Sequence, residues 1–341
     1  MKPINVLLTC SSIHAVGIIR CLLANPDNIK VNVYVANCNS YDLPPDNLCA
    51  GTFVVPRLIE SDYIPSLLQI CNEHSIDVIL PTSSQELELM ALAKDKFERV
   101  GVRMVIAPLE AIRISGDKSA TYKVFEHLMP KQIVANNAYD VLKFSEDVKR
   151  ICCKPINSCG GKGFAVVDEK KCTDPRYFHS FGNKHYISLW QLCHAVEQSE
   201  SPTIIQEYNE GIDYSLAALA DGGKITHSIG CYGTTLEFGA VMNGEIYIHP
   251  YAKQVADSVA ERLNINGPFG LDFIIRGDGS VALLDVNMRV TASAEFYAKA
   301  GVNLPWLSIK HVLGYNIRED KVSVDYELQM VKYFDAHYYH N

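Results

Sequence analysis

Polar side chains that could hold a cation alternate with apolar residues in the segment "LLDVNMR", at 283–289. If this segment is a strand, its polar residues share one face and its apolar residues the other. The polar residues are Asp285, Asn287 and Arg289, and the apolar residues between them, expected in the core, are Leu284, Val286 and Met288. An acid, an amide and a guanidinium in a row are unusual on a core strand, so this face is predicted to look into a charged site.

A second carboxylate, Asp272, interrupts the apolar segment "FGLDFIIR" at 269–276. The intervening "GDG" predicts a β-hairpin that places Asp272 beside Asp285. Facing carboxylates repel each other unless a cation lies between them. Oxygen ligands from Asp272, Asp285 and Asn287 suit Mg²⁺, with Mn²⁺ as a substitute, and Mg²⁺ is commonly shared with phosphates. Arg289 would then reach a terminal phosphate, whereas a solvated sheet face is the alternative interpretation.

A glycine-rich loop, "KPINSCGGKGF" at 154–164, lies between two predicted strands. Its glycines would let backbone amides approach phosphate oxygens closely, and Lys154 or Lys162 would neutralise the charge. The loop lacks the G-x-x-x-x-G-K-[ST] pattern and precedes a strand rather than a helix, so it is no Walker loop. A mobile glycine hairpin without a ligand is the alternative.

A strand followed by a polar turn forms "IIQEYNEGIDYS", at 204–215. Backbone groups at such a strand edge could hydrogen-bond a heterocycle, and Asp213 could accept from a sugar hydroxyl. An acidic surface turn is the alternative interpretation.

The elements that position these residues fall into two patterns. The first hundred residues alternate strands with helices, which indicates a Rossmann-like parallel sheet covered on both faces. The turn after its first strand, "CSSIHAVG", lacks G-x-G-x-x-G, which disfavours a nicotinamide oxidoreductase. Small ligands bind at the carboxyl ends of strands in such sheets, and the polar residues at these ends are Ser11, Ser12, Thr82, Ser83 and Ser84. Capping of the following helices explains them equally well.

From about 108 the pattern changes to an α+β region dominated by antiparallel pairing. A single capped helix is predicted over 115–128 and a less regular stretch over 233–248. The segment after about 316 is expected to be a peripheral helix. The predicted fold class is thus α/β and α+β.

Composition limits the class of protein. The 341 residues suggest two or three domains. A net charge of -8 argues against nucleic acid as a partner. The eleven cysteines lack metal-site spacing, and no apolar run approaches the roughly 20 residues that cross a bilayer. We therefore expect a cytoplasmic protein that contacts no membrane.

The order of the motifs "SGDK", "CKPINSCGGKG", "IIQEYNEGIDYS" and "GLDFI…LLDVNMR" resembles the ATP-grasp superfamily. The resemblance extends over about 1–316 and is strongest to carboxylate–amine or carboxylate–thiol ligases related to carbamoyl-phosphate synthetase and D-alanine–D-alanine ligase. It implies a pre-ATP-grasp domain at 1–107, an N-terminal lobe with a flap at 108–205, and a C-terminal lobe with the metal site at 206–341.

The resemblance also implies residue roles. Lys118 and Lys154 match phosphate-binding positions, and Asp213 matches an acidic ribose position for which Glu210 competes. The flap is represented by Ser158, Gly160, Gly161, Lys162 and Gly163, and the adenine hinge by Gln206, Glu207, Tyr208 and Asn209. The metal ligands match Asp272, Asp285 and Asn287, although Asp285 stands where the family usually has Glu. Arg289 and Lys154 are the implied catalytic residues, and the acceptor candidates are Thr291, Ser293 and Glu237.

The implied activity is an ATP- and Mg²⁺-dependent ligase that activates a carboxylate as an acylphosphate, releases ADP and phosphate, and forms an amide with an amine, such as that of an amino acid. The expected partners are these small molecules, and a homodimer is left open. An ATP-grasp carboxylase and a non-catalytic ATP-binding regulatory module are the alternatives. The intact ligand set argues against the second, whereas substrate identity and the role of the tail are not determined by the sequence.

Overall fold

The computed structural model describes residues 2–11, 15–156, 163–177, 184–237 and 240–333. Within them the strands form three sheets. Among the same residues, no helix combines the length and the apolar character needed to span a bilayer.

The N-terminal sheet is parallel, with strand order β3-β2-β1-β4-β5. Its strands are β1 Ile4–Thr9, β2 Val31–Asn37, β3 Gly51–Val54, β4 Val78–Pro81 and β5 Arg103–Met104. The connecting helices are α1 Ala15–Leu23, α2 Tyr63–Glu73 and α3 Leu87–Arg99, and α4 Leu109–Gly116 follows. The strand order reverses between β1 and β4, so their carboxyl ends flank a crevice where ligands bind in such sheets.

The second sheet has the order β6-β10-β7-β8-β9 and is antiparallel except for the parallel pair β8–β9. Its strands are β6 Gln132–Ala135, β7 Ile151–Pro155, β8 Ala165–Val167, β9 His185–Ile187 and β10 Thr203–Glu207. The helices of this region are α5 Lys118–Phe125, α6 Ala138–Asp147 and α7 Leu189–Gln198. Val141 of α6 and Val196 of α7 are buried in one cluster with Ile205 of β10, so the two helices cover this sheet.

The third sheet is antiparallel, with the order β15-β14-β11-β12-β13-β16. Its strands are β11 Gly211–Asp221, β12 Lys224–Glu237, β13 Ala240–Ile246, β14 Gly267–Arg276, β15 Val281–Asn287 and β16 Gln329–Val331. The helices of this region are α8 Pro250–Arg262, α9 Ala294–Lys299 and α10 Leu304–Val312.

One hydrophobic core joins the N-terminal sheet to the third sheet. Leu7 of β1 and Phe97 of α3 belong to the same buried cluster as Phe269 and Phe273 of β14 and Val259 of α8. Because this cluster is continuous, the parallel sheet holds a fixed position relative to the strands that carry the acidic residues. The predicted fold class is confirmed.

Three local predictions are wrong. The segment 115–128 is two helices, because Asp117 has an extended backbone and caps α5 by accepting hydrogen bonds from the N–H groups of Ser119 and Ala120. The stretch 233–248 continues as β12 and β13, whose register shifts interrupt the alternation by which a strand is recognised. The segment after 316 forms a short 3₁₀ turn, Ile317–Glu319, and the edge strand β16 rather than a helix, and residues from 334 onward lie outside the described range.

Candidate active site

The β14–β15 hairpin places the two predicted metal-binding carboxylates opposite each other. The strands pair antiparallel, with Asp272 as the register partner of Asp285. The register shifts immediately afterwards, so that Phe273 pairs with Leu283 and Leu284 is the extra residue of a bulge. The predicted hairpin and its facing carboxylates are therefore present.

The bulge corrects the predicted core residues of β15. Val286 and Met288 are each 2% exposed, as expected. Leu284 is partly exposed, and Leu283, 1% exposed, packs in the core instead. The prediction for Leu284 is wrong because strict alternation does not hold across a bulge.

Neighbouring strands satisfy the Asp272 carboxylate on both of its oxygens. Ser215 Oγ of β11 donates to Oδ1 at 2.7 Å, and Asn287 Nδ2 donates to Oδ2 at 3.2 Å. Burial, together with the negative charge of Asp285, raises the pKa of Asp272 to about 6. Two negative charges side by side in this site repel each other, and a bound cation would relieve that repulsion.

The donor set fits a hard divalent cation that is shared with another ligand. Because Asn287 directs its amide nitrogen at Asp272, its carbonyl oxygen is the atom left for a cation. Within the described ranges, no group of three or more His, Cys, Asp or Glu residues is placed to hold a metal ion. Two carboxylates and an amide make an incomplete shell, which suits Mg²⁺ completed by phosphate oxygens.

Cation binding is expected to depend on pH through Asp272. A proton competes with the cation below the raised pKa of about 6, so the affinity for Mn²⁺ alone should fall about tenfold per pH unit below that value. Titration calorimetry between pH 5 and 7 measures this dependence. The exposed Asp278 in the hairpin turn supplies the control, because Asp278→Ala should preserve the same pH profile. A constant affinity across this range would contradict the assignment.

Arg289 follows β15 and contacts the N-terminal domain. Its Nε donates to Ser84 Oγ at 3.0 Å, and its Nη1 donates to the carbonyl of Val290 at 3.1 Å. The positive charge of Arg289 lowers the pKa of Asp272, although burial and Asp285 outweigh it. The arginine thus lies within electrostatic reach of the carboxylate pair.

The predicted adenine hinge connects β10 with β11. The N–H groups of Glu207 and Tyr208 donate to the carbonyls of Lys131 and Arg150 at 2.8 and 2.9 Å. These two donors are consequently occupied, which leaves backbone carbonyls and groups from Asn209 onward for a heterocycle.

Two side chains of the hinge have structural partners. Gln206 is buried and its Nε2 donates to Gln132 Oε1 at 2.9 Å within the second sheet. Asn209 Oδ1 accepts from Arg276 Nε at 2.7 Å, so Arg276 anchors the hinge to β14. This contact joins residues 67 positions apart in the sequence, so no local pattern predicts it.

The two candidates for the acidic ribose position have different surroundings. Glu210 is exposed and forms an ion pair with Arg150 at 2.7 Å. Asp213 is partly buried on β11, and burial raises the pKa of its carboxyl. Asp213 and Ser215 are two residues apart on β11, so their side chains lie on the same face of the strand. Because Ser215 donates a hydrogen bond to Asp272, Asp213 faces the same side as the carboxylate pair. The same alternation could have identified Ser215 from the sequence.

The phosphate-binding candidates are only partly described. Lys154 is partly buried near the end of β7, and Lys118 begins α5. Gly163 has φ +74° and a side chain there would meet Pro155, so this position requires glycine. The other predicted flap residues, Ser158, Gly160, Gly161 and Lys162, lie outside the described residues.

The candidate residues for binding the acceptor follow β15 or lie at the end of β12. Thr291 is partly buried beside Gly270, and its buried Oγ1 has no hydrogen-bond partner among the described residues. Ser293 is 9% exposed and precedes α9 without a side-chain capping bond. Glu237 ends β12, but its side chain lies outside the described part.

The protein thus has a parallel sheet in front of two largely antiparallel sheets, a hinge between these two, and facing carboxylates on the second. A family model described as "ATP-grasp domain" matches residues 115–293, which is more than half of the 341 residues. The chain belongs to the ATP-grasp family, and the resemblance drawn from the ordered motifs is confirmed. A second model, "PylC-like, N-terminal domain", matches residues 8–105.

Known proteins resemble the chain over most of its length. It is 23% identical over 262 residues to the carbamoyl phosphate synthase large chain of Pyrococcus furiosus, covering 71% of this chain but only 23% of that protein. It is 21% identical to the tyramine–L-glutamate ligase of Methanocaldococcus jannaschii, covering 78% of this chain and 74% of that one. The crystal structure of an L-amino acid ligase from Bacillus licheniformis superposes with a TM-score of 0.63 at 17% identity, covering 91% and 74%. The structural similarity supports the same fold.

Proposed function

We propose that the protein is an ADP-forming ligase that joins a substrate carboxylate to an amine, with an amino acid as one of the two substrates. The observation that carries the proposal is the register pairing of Asp272 with Asp285, with Asn287 at the end of the same strand and Arg289 just after it. This arrangement suits a cation shared with the terminal phosphates of ATP. The tyramine–L-glutamate ligase and the L-amino acid ligase among the relatives support an amine acceptor and an amino acid substrate.

We assign the metal position to Asp272, Asp285 and Asn287, as the sequence predicts. Mg²⁺, when bound there, neutralises phosphate charge and orients the terminal phosphoryl group. Between the two candidates for the ribose, Asp213 is favoured, because it faces the carboxylate pair while Glu210 is engaged by Arg150 on the surface.

The protein's contribution to the reaction is positioning and charge neutralisation. A carboxylate oxygen of the substrate attacks the γ-phosphorus of ATP, and the bond from that phosphorus to the β,γ-bridging oxygen breaks, giving an acylphosphate and ADP. The amine nitrogen then attacks the acyl carbon, phosphate leaves, and a proton is lost from nitrogen as the amide forms. In this proposal Arg289 and Lys154 stabilise the charge that develops on the transferred phosphoryl group, and no protein nucleophile is required.

The predicted domain boundaries at 107 and 205 remain part of the proposal, as does a homodimer, which sedimentation velocity would test. The 108–205 lobe would carry the flap over the phosphates, and the remainder would carry the metal and the acceptor. Partners are expected to be small molecules.

The proposed activity is tested by incubating the protein with Mg²⁺, ATP and pools of amino acids, and measuring ADP, phosphate and new amides. We expect ADP formation that requires both a carboxylate and an amine, in equal amounts with the amide. AMP and pyrophosphate, or an amide formed without ADP, would contradict the proposal. Bicarbonate-dependent ADP formation would point to a carboxylase, and ATP binding without turnover to a regulatory module.

A further inference from the structure

A fully buried carboxylate, Glu86, lies at the start of α3 in the N-terminal domain, and its exposed fraction is 0%. Its Oε1 accepts from the N–H groups of Thr82 and Ser83 at 2.9 and 3.2 Å, and its Oε2 accepts from Tyr63 OH at 3.0 Å. Burial raises the pKa of this carboxyl. A buried carboxylate is costly unless several donors satisfy it, and here two of those donors belong to one short loop, so Glu86 fixes the shape of the 82–84 loop.

The same loop is fastened to the end of β1. Thr82 Oγ1 donates to the carbonyl of Thr9 at 2.9 Å and to that of Cys10 at 3.3 Å. Cys10 itself has a left-handed backbone, with φ 46°, and its Sγ lies 3.4 Å from Tyr63 OH. Strained backbone persists where the surrounding structure determines it strongly. The loop is therefore held at the crevice between β1 and β4 from two sides.

Ser84 connects the 82–84 loop to Arg289, which follows β15. Ser84 Oγ accepts from Arg289 Nε at 3.0 Å across 205 residues of sequence. With the bond from Nη1 to the Val290 carbonyl, this contact uses N–H groups on two of the three guanidinium nitrogens and so sets the plane of the group. Donors on the outer edge of the guanidinium stay available for a phosphate.

We propose that Ser84 and Glu86 are positioning residues for Arg289: Glu86 holds the 82–84 loop, and Ser84 orients the guanidinium toward the terminal phosphate. The inference rests on the proposed function for the direction in which Arg289 acts. A planar guanidinium binds phosphate well only in a matching orientation, so losing one fixed contact lowers both affinity and rate. The N-terminal domain thereby takes part in phosphoryl transfer through Ser84 and Glu86.

The inference is tested by comparing Ser84→Ala, which removes the acceptor, with Ser84→Thr, which keeps a hydroxyl. Ser145→Ala, in a partly buried serine of α6 whose Oγ donates to the Leu142 carbonyl, is the matched control. Because Arg289 faces the terminal phosphate, the ratio of ATP to ADP affinity reports its orientation more directly than overall stability does. We expect Ser84→Ala to lower this ratio and kcat by about tenfold each, the size of one charge-assisted hydrogen bond. Ser84→Thr and the control should stay within about twofold of the parent.

A double-mutant cycle separates positioning from general damage. In an Arg289→Ala background, Ser84→Ala should have no further effect, because the group that it orients is gone. Glu86→Gln keeps the side-chain shape but presents an NH₂ group, and should lower the same ratio by a smaller factor. Should Ser84→Ala fold poorly, Ser84→Gly provides the same comparison.

An unchanged ATP-to-ADP affinity ratio in Ser84→Ala, or equal losses in the parent and Arg289→Ala backgrounds, would overturn the inference. These binding measurements do not need turnover. If the parent protein bound ATP but made no amide, the proposed function would fail while the role of Ser84 could still be judged from binding.

Discussion

Asp285→Ala is expected to lower acceptor-dependent ADP formation by about a thousandfold, because it removes one of the two facing carboxylates that we assign to the shared cation. The fold should persist, since the Asp285 side chain lies on the polar face of β15 and the core face is formed by Leu283 and Val286. Steady-state ADP release and circular dichroism measure the two effects. Asp285→Glu keeps a carboxylate and should retain activity within about tenfold.

Asp285→Ala should also stabilise the protein when no metal is present. Asp272 has a folded-state pKa of about 6, above its usual 3.8, so the folded protein binds more protons than the unfolded chain and its free energy of unfolding falls as pH rises through this window. Removing Asp285 relieves one source of that repulsion, so the apo variant should gain about 0.5 to 1 kcal/mol at pH 7. A loss of activity with a matching loss of stability would instead indicate misfolding.

Asp278→Ala is the matched control for Asp285→Ala. Asp278 lies in the turn of the same hairpin, is exposed, and accepts hydrogen bonds from Ser280. Its removal should leave turnover within about twofold of the parent. Undiminished ADP formation in Asp285→Ala, or an equal loss in both variants, would contradict the metal assignment.

Lys310→Met is expected to have the largest effect on stability. Lys310 on α10 is 9% exposed, and its Nζ lies 2.9 Å from Asp27 and 2.8 Å from Asp320. Trp306 Nε1 also donates to Asp27 at 2.8 Å, so the cluster joins the N-terminal domain, α10 and the segment that follows it. Removing the cation leaves two carboxylates facing each other, and we expect a loss of about 2 kcal/mol, because both carboxylates are partly exposed.

The loss of stability caused by Lys310→Met is expected to depend on pH. Hydrogen bonding to Lys310 lowers the pKa of Asp27 below its usual 3.8. The cluster therefore stabilises the protein at neutral pH, and this contribution is lost as pH falls through the lowered pKa. Urea unfolding at pH 7 and pH 3 should show a smaller difference between parent and variant in acid.

Lys253→Met supplies the control for Lys310→Met. Lys253 pairs with Asp257 one helical turn away on α8, and the aspartate is half-exposed. Such surface pairs contribute about 0.3 to 0.5 kcal/mol. Equal destabilisation by the two substitutions would show that the buried cluster has no special role.

The sequence predicts the β14–β15 hairpin well because the residues that indicate it are neighbours in the chain. A "GDG" turn between two apolar runs fixes the pairing of β14 with β15, and that pairing places Asp272 beside Asp285. The bulge at Leu284 was missed because alternation does not reveal where an extra residue is inserted. The continuation of β12 into 233–237 was missed for the same reason.

Long-range contacts were not predictable from the sequence. Ser84 follows a strand of the parallel sheet, which makes it a candidate by position, but its bond to Arg289 crosses 205 residues. Glu86 resembles an ordinary residue at the start of an exposed helix, and only the packing of α2, α3 and β1 buries it completely. Pairwise contacts between separate elements depend on tertiary packing, which no local pattern encodes.

Activation of the substrate carboxylate by phosphoryl transfer from ATP is tested most directly with a substrate labelled with ¹⁸O in its carboxylate. The labelled substrate is turned over with Mg²⁺, ATP and the amine. We predict that one ¹⁸O atom appears in inorganic phosphate for each amide formed, because the oxygen that attacks phosphorus leaves with it. Amide formation with unlabelled phosphate, or with the label in AMP, would contradict the proposed function.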